Sequence, residues 1–208
     1  MKVRFLNVRR ELCQDIQCTR PIIDIEITKT IRTQTGSIEY EKFDICCVGI
    51  IVDDKIIQIY REPGIDDTAQ FKREAISHIG SRPSVHAFNK DFEYYGLRSC
   101  LGVDSVCVDE IRPFKGRGWT KDRFFEELVT DGIVKTRMPV DPFHGNSTLV
   151  FNSWVNGDIE SILSHNVVCL LKEHYILENR DYLYNKHRHK INEEGWYEVS
   201  ESVGTTIE

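Results

Sequence analysis

The chain has 208 residues, of which 40% are hydrophobic and 10% aromatic, which is enough for a packed core and excludes global disorder. This length favours one large domain, with at most a small appendage. A net charge of −6 and a pI near 5.7 exclude a simple basic nucleic-acid binder, but not a nuclease, because a carboxylate metal site itself adds acidic residues.

Targeting and cysteine patterns are both unremarkable. The N-terminal segment has no continuous apolar stretch, and no run approaches the roughly eighteen apolar residues of a transmembrane helix. We therefore expect a soluble, cytoplasmic protein without a membrane partner. The seven cysteines are odd in number and form no C-x-x-C pair, so reduced thiols are expected.

The first clear strand covers residues 21–27 and carries two acids, Asp24 and Glu26. Because strand side chains alternate between faces, both acids emerge on the same face, roughly 6–7 Å apart. Two buried carboxylates repel each other and need a cation, most naturally a hard divalent metal bound through oxygen. In the alternative, the strand lies at a sheet edge, and the acids face solvent while the isoleucines face the core.

Periodicity and turn residues predict the remaining elements in chain order. A polar stretch, 28–41, is followed by strands over 43–52 and 55–60, a helix over 68–79, a strand over 84–88, a helix over 92–101, a strand over 106–111, a helix over 120–129, loops with one short helix over 130–156, and a long helix over 158–177. Three strands in a meander followed by alternating helix and strand predict an α/β fold with a mixed sheet flanked by helices.

The last thirty residues are polar and include the basic run 186–190, with a few aromatic residues that suggest partial packing against the domain. We therefore divide the chain into a domain over 1–178 and a polar C-terminal extension over 179–208. The basic run is typical of a solvated surface, with phosphate contact as the alternative.

Three short motifs follow one another along the chain, and their order and spacing are informative. They are Asp24-Ile25-Glu26 on the first strand, Asn89-Lys90-Asp91-Phe92-Glu93 after a short strand, and His165-Asn166-Val167-Val168-Cys169 on the last helix, preceded by Gly157-Asp158. In this order and spacing the chain resembles the DEDD-type 3′–5′ exonucleases of the ribonuclease H-like superfamily, and within them the YprB-like branch of predicted exonucleases. The resemblance covers about residues 20–177.

The resemblance implies a ribonuclease H-like mixed sheet, a three-strand antiparallel meander plus parallel strands, and a site for two Mg²⁺ or Mn²⁺ ions about 3.5–4 Å apart. Asp24 would bridge the ions, and Glu26 and Glu93 would complete their coordination. His165 takes the position of the residue that activates the attacking water. The implied activity is phosphodiester hydrolysis at single-stranded DNA or RNA ends.

Two further positions would contact the substrate. Asn89 would orient the strand end through hydrogen bonds, and the ring of Phe92 would stack on a terminal base. One position departs from the family: its final Asp falls on Cys169, and a thiol is a poor ligand for magnesium. Asp158 is a further candidate acid, but it precedes Cys169 by roughly 16 Å along a continuous helix.

Three functions therefore stay open. The first is a divalent-metal-dependent 3′–5′ exonuclease, impaired by Cys169. The second is a degraded ribonuclease H-like module that binds nucleic acid or a protein partner without cutting it. The third is a metal-binding structural protein with no nucleic-acid role.

Overall fold

The computed structural model describes residues 1–12, 16–28, 43–116, 118–193 and 197–198. The strands of its central sheet are β1 (Lys2–Asn7), β2 (Cys18–Ile27), β3 (Ile45–Asp53), β4 (Lys55–Tyr60), β5 (Ser84–Ala87) and β6 (Cys107–Glu110), and a separate ribbon pairs β7 (Phe114–Lys115) with β8 (Tyr197–Glu198). The helices are α1 (Val8–Leu12), α2 (Thr68–Ile79), α3 (Lys90–Tyr95), α4 (Lys121–Thr130), α5 (Leu149–Val155), α6 (Ile159–Glu178) and α7 (Arg180–Glu193). A π-helical segment, Gly96–Leu101, directly follows α3.

The central sheet has six strands in the order β1-β4-β3-β2-β5-β6. Strands β2, β3 and β4 form an antiparallel meander, and β5 and β6 continue the sheet parallel to β2. The α/β architecture with a mixed sheet is thus confirmed. The sequence analysis missed the edge strand β1, which pairs antiparallel with β4. The polar stretch expected over 28–41 lies outside the described residues except for Thr28.

Strand β2 lies in the middle of the sheet, between β3 and β5. On one face, Ile23 and Ile25 pack in a core that also receives side chains of α2 and the π-helical segment. On the other face, Ile22 packs in a second core with side chains of α4, α6 and α7. Asp24 and Glu26 alternate with the first pair, so they point toward α6. The alternative of a solvent-facing pair on an edge strand is therefore excluded.

Close approach of α6 to the sheet depends on Gly49 of β3, which pairs with Asp24 in register. A Cβ atom built at Gly49 would lie 2.0 Å from Oδ1 of Asn166 on α6. No side chain larger than hydrogen fits there unless Asn166 moves. The glycine therefore sets how near α6 comes to the two acids of β2.

The C-terminal extension begins with α7, a helix that the sequence analysis did not predict. Leu183 is fully buried, and Nε2 of His187 lies 2.8 Å from Oε1 of Glu127. In the basic run, Lys186 forms ion pairs with Glu127, at 2.8 Å, and with Asp131. This run therefore contributes in part to internal packing rather than to a free cationic surface. Within the described ranges, no helix is long and apolar enough to cross a membrane.

Candidate functional site

Asp24 and Glu26 of β2 line a cleft of about 650 Å³, which is formed where β2, α3, α4 and α6 meet. The sequence-predicted residues that line it are Asp24, Glu26, Asn89, Phe92, Glu93, His165 and Cys169. Their chain separations are large, so only the sheet order and the return of α6 across β2 bring them together. Asp158 is the exception, since it does not line the cleft and instead caps α6 by accepting a hydrogen bond from the backbone N–H of Ser161 at 3.2 Å.

Lys121 and Glu173 are among the charged residues of the cleft that sequence reasoning missed. The ammonium of Lys121 donates to Oδ1 of Asp24 at 2.9 Å and to Oε1 of Glu173 at 2.7 Å. Lys121 is the first residue of α4, and Glu173 lies one helical turn beyond Cys169 on α6. The i, i+4 spacing of Cys169 and Glu173 was the available signal for the acid. Thus a carboxylate does stand near the place where the final Asp was missing.

The β2 carboxylates ionise differently because their surroundings differ. Burial alone would raise the pKa of Asp24, but the ammonium of Lys121 and a hydrogen bond from Glu26 lower that pKa below its ordinary value. Burial, reinforced by the charge of Asp24, raises the pKa of Glu26 well above its ordinary value. The ammonium of Lys121 therefore favours the ionised form of Asp24, whereas burial disfavours the ionised form of Glu26.

Two further buried acids of the cleft, Glu93 and Glu173, also have raised pKa values. Burial and the nearby charges of Glu173 and Asp24 raise the pKa of Glu93 well above its usual range. Burial, with Lys121 opposing it, raises the pKa of Glu173 to about 8. Among the described residues, Oε2 of Glu93 and Oε2 of Glu173 have no hydrogen-bond partner. Both oxygens are buried polar atoms whose hydrogen-bonding capacity a ligand or cation can satisfy.

A hydrogen-bond network of two side-chain amides orients Asp24. Nδ2 of Asn166 donates to Oδ2 of Asp24 at 2.9 Å and to its backbone oxygen at 3.2 Å. Oδ1 of Asn166 in turn accepts from Nε2 of Gln58 on β4 at 3.0 Å. Because Asn166 is fully buried over Gly49, it has little room to move. The carboxylate of Asp24 is therefore held between an amide on one oxygen and an ammonium on the other.

Another group of contacts in the cleft centres on His165, whose ring is almost fully buried. Its Nδ1 lies 2.8 Å from Oδ1 of Asp141, while its Nε2 lies 3.6 Å from Sγ of Cys169 and 3.9 Å from Oε1 of Glu26. Asp141 lies in the loop between α4 and α5, and the sequence analysis did not identify it as a site residue. Burial raises the pKa of the Cys169 thiol well above its usual range, so without a cation it carries its proton.

One group of side chains in the cleft could hold a metal ion. Glu26, His165 and Cys169 form a buried group that could hold a metal ion, with ligand atoms within 4.8 Å of one another. The position between Asp24 and Glu173, however, is taken by the ammonium of Lys121. Together with the thiol, this arrangement does not fit a pair of hard Mg²⁺ ions, which prefer oxygen ligands. Among the described residues, Glu26, His165 and Cys169 are one group that could hold an ion.

No protein-family model, curated protein or solved structure matches the chain. The resemblance to DEDD-type exonucleases therefore stays a prediction from the sequence motifs.

Proposed function

We propose that this protein is a metal-dependent phosphodiesterase of ribonuclease H-like type, acting in the 3′–5′ direction on single-stranded DNA or RNA ends. The observation that carries the proposal is the convergence of four acids from three elements, Asp24 and Glu26 of β2, Glu93 of α3 and Glu173 of α6, with His165 in one cleft. Acids so buried are costly for a fold, and such clusters of perturbed carboxyl groups are typical of catalytic sites.

The sheet supports the same proposal. The antiparallel meander β2-β3-β4, extended by β5 and β6 parallel to β2, is the arrangement that the resemblance implies. The first acids then fall on the central strand, Glu93 falls on the helix after β5, and the last acid falls on the final long helix over the sheet. Glu173 replaces the expected Asp from one turn further along α6.

Lys121, Asn166 and Glu173 each have a chemical task in this proposal. A bound divalent ion lowers the pKa of a coordinated water and stabilises charge on the phosphate. Lys121, which carries its positive charge in the cleft, adds a second cation near the phosphate, and Asn166 keeps Asp24 oriented. Glu173, with a pKa of about 8, holds a proton at neutral pH, and its Oε2 can donate that proton to the leaving oxygen.

The cleft also offers a surface for a strand end. Its lining includes the aromatic rings of Phe88, Phe92 and Phe151, of which Phe151 is half exposed. Stacking of bases on such rings does not depend on sequence and contributes about 1–3 kcal/mol per base. Asn89 lines the same cleft, where its amide can bind a terminal hydroxyl or phosphate. A volume of about 650 Å³ suits one or two nucleotides better than a duplex.

A second function is favoured by one specific observation, the pairing of Lys121 with both Asp24 and Glu173. If this ammonium permanently replaces a catalytic ion, the protein holds a strand end or a protein partner without cutting it. The two functions predict the same binding but different products.

The deciding experiment incubates labelled single-stranded DNA and RNA with the protein in Mg²⁺, Mn²⁺ or Zn²⁺, and measures both product ladders and binding anisotropy. The exonuclease proposal expects stepwise shortening from the 3′ end, lost in Glu26→Gln and retained in Glu160→Gln, an exposed acid on the same α6 helix. Binding without shortening supports the second function. Cleavage that survives Glu26→Gln, or neither cleavage nor binding, rejects the assignment of this cleft as a nucleic-acid site.

A further inference from the structure

Glu26, His165 and Cys169 offer one oxygen, one nitrogen and one sulfur to a single point in the cleft. We propose that this group is a binding site for one borderline-soft divalent ion of the zinc class, and that it discriminates against Mg²⁺. This metal preference goes beyond the proposed function, because it concerns binding alone and is testable without any substrate.

The distances between ligand atoms agree with tetrahedral coordination. With a Zn–S bond of about 2.3 Å and a Zn–N bond of about 2.0–2.1 Å, a tetrahedral angle separates the sulfur and nitrogen by about 3.6 Å. Sγ of Cys169 and Nε2 of His165 are 3.6 Å apart. The corresponding oxygen–nitrogen separation is about 3.4 Å, and Oε1 of Glu26 lies 3.9 Å from Nε2. A small rotation of the Glu26 side chain closes that difference.

The histidine is also presented in the tautomer that a metal needs. Asp141 receives backbone hydrogen bonds at 2.9 Å from Phe143 onto Oδ1 and from Gly145 onto Oδ2, so its carboxylate is ionised and fixed. An ionised carboxylate accepts the Nδ1–H of His165, which leaves the lone pair of Nε2 facing Cys169 and Glu26. A carboxylate behind a metal-binding histidine is the usual supporting arrangement in zinc sites. Asp141 is therefore a positioning residue.

Charge balance distinguishes the two halves of the cleft. Lys121 already compensates the half formed by Asp24 and Glu173. The other half, Glu26 and Cys169, carries two negative charges once both are deprotonated, and one divalent ion neutralises them. Three protein ligands then leave a fourth tetrahedral position for water, as in catalytic rather than structural zinc sites.

Cys169, His165 and Asp141 also have the order of a nucleophilic triad. Glu26 argues against that role, because its carboxylate lies within 4.8 Å of the sulfur and would oppose a free thiolate. A cation between them turns the same carboxylate into a ligand. The sulfur is also buried in the middle of α6, which is unlike the exposed position of reactive cysteines.

The test titrates the metal-free full-length chain with Co²⁺, whose thiolate bond gives a near-ultraviolet charge-transfer band and whose tetrahedral complexes absorb strongly in the visible. We expect one equivalent to bind with both signals, Zn²⁺ to displace it, and millimolar Mg²⁺ to leave it in place. The bands should disappear in Cys169→Ser and persist in Cys107→Ser, which removes an exposed thiol outside the cleft. Bands that survive Cys169→Ser, or displacement by Mg²⁺, would overturn the proposal.

Two further variants keep the test decisive if Cys169→Ser does not fold. Asp141→Asn retains the shape of the side chain but removes its charge, and should weaken Co²⁺ binding by about 10–100-fold. Unchanged affinity in a folded Asp141→Asn protein contradicts the positioning role and the site with it. Cys169→Asp should lose the charge-transfer band and move the preference toward Mn²⁺ and Mg²⁺. If Cys169→Asp keeps the original preference for Zn²⁺ over Mg²⁺, the thiol is not what selects the ion.

Discussion

Replacing Glu173 by glutamine should remove part of the pH dependence of folding. In the folded protein Glu173 is fully buried, and burial raises its pKa to about 8 from an ordinary value of 4.5. Above pH 4.5 the unfolded chain loses this proton while the folded chain keeps it. A raised folded-state pKa therefore contributes stability that is fully present below about pH 4.5 and is lost as the pH rises toward 8.

The size of the effect follows from the shift. Each pH unit between the two pKa values changes the free energy of unfolding by about 1.4 kcal/mol, so the interval from pH 5 to pH 8 corresponds to about 4 kcal/mol. A domain is stabilised by about 5–15 kcal/mol in total, so the change is large enough to measure. Glutamine can still accept from Lys121 through its carbonyl oxygen, but it does not titrate. As the pH rises from 5 to 8, the free energy of unfolding of the variant should therefore increase by about 4 kcal/mol relative to that of the wild type.

Urea unfolding in the presence of a chelator, at pH 5, 6, 7 and 8, measures this difference. Glu160→Gln is the matched control, because Glu160 lies exposed on the same α6 helix and pairs with Arg4 at 3.0 Å. That control should run parallel to the wild type at every pH. The opposite result is that the free energies of unfolding of wild type and Glu173→Gln differ by the same amount from pH 5 to pH 8. That result would show that Glu173 ionises as in water, and it would refute the buried acid cluster.

Three other substitutions test separate parts of the structure by urea denaturation. Lys121→Met leaves two buried acids without their cation and should cost about 3–5 kcal/mol at pH 8, less at pH 5; an equal loss at both pH values would contradict the ion pair. Gly49→Ala should cost about 1–3 kcal/mol because the new methyl group meets Asn166, and Asn166→Ala should recover part of that loss. Leu183→Ala should cost about 2–5 kcal/mol if α7 is docked as described, and a neutral effect would mean that it is not.

Elements with strong periodicity could be predicted from the sequence almost to the residue. The helix expected over 68–79 is α2, and the long helix expected over 158–177 is α6. Strand β1 and helix α7 are among the elements that could not be found this way. Strand β1 is short and lies at a sheet edge, with Phe5 largely exposed, so its alternation is weak. Helix α7 is polar along most of its length and depends on a few tertiary contacts rather than on its own periodicity.

The site residues, too, include some that the sequence could predict and some that it could not. Charged residues are unusual in an apolar strand, and for that reason Asp24 and Glu26 could be identified from the sequence. Lys121 and Glu173 are not unusual in this way, because a lysine in the first turn of an amphipathic helix and a glutamate on a long helix are ordinary surface residues until the fold buries them. Asp141 lies in an irregular loop, where no periodicity indicates which way a side chain points.

Lys121 has a consequence for how the site behaves before any ligand arrives. A dissolved cation leaves when its concentration falls, whereas an ammonium on one of the protein's own side chains is supplied at a fixed, very high effective concentration. Because this tethered counterion bridges Asp24 and Glu173, half of the acidic cleft stays compensated in the presence of chelators. The cleft can therefore assemble during folding without waiting for metal, and metal loss should abolish ion-dependent chemistry while leaving the fold intact.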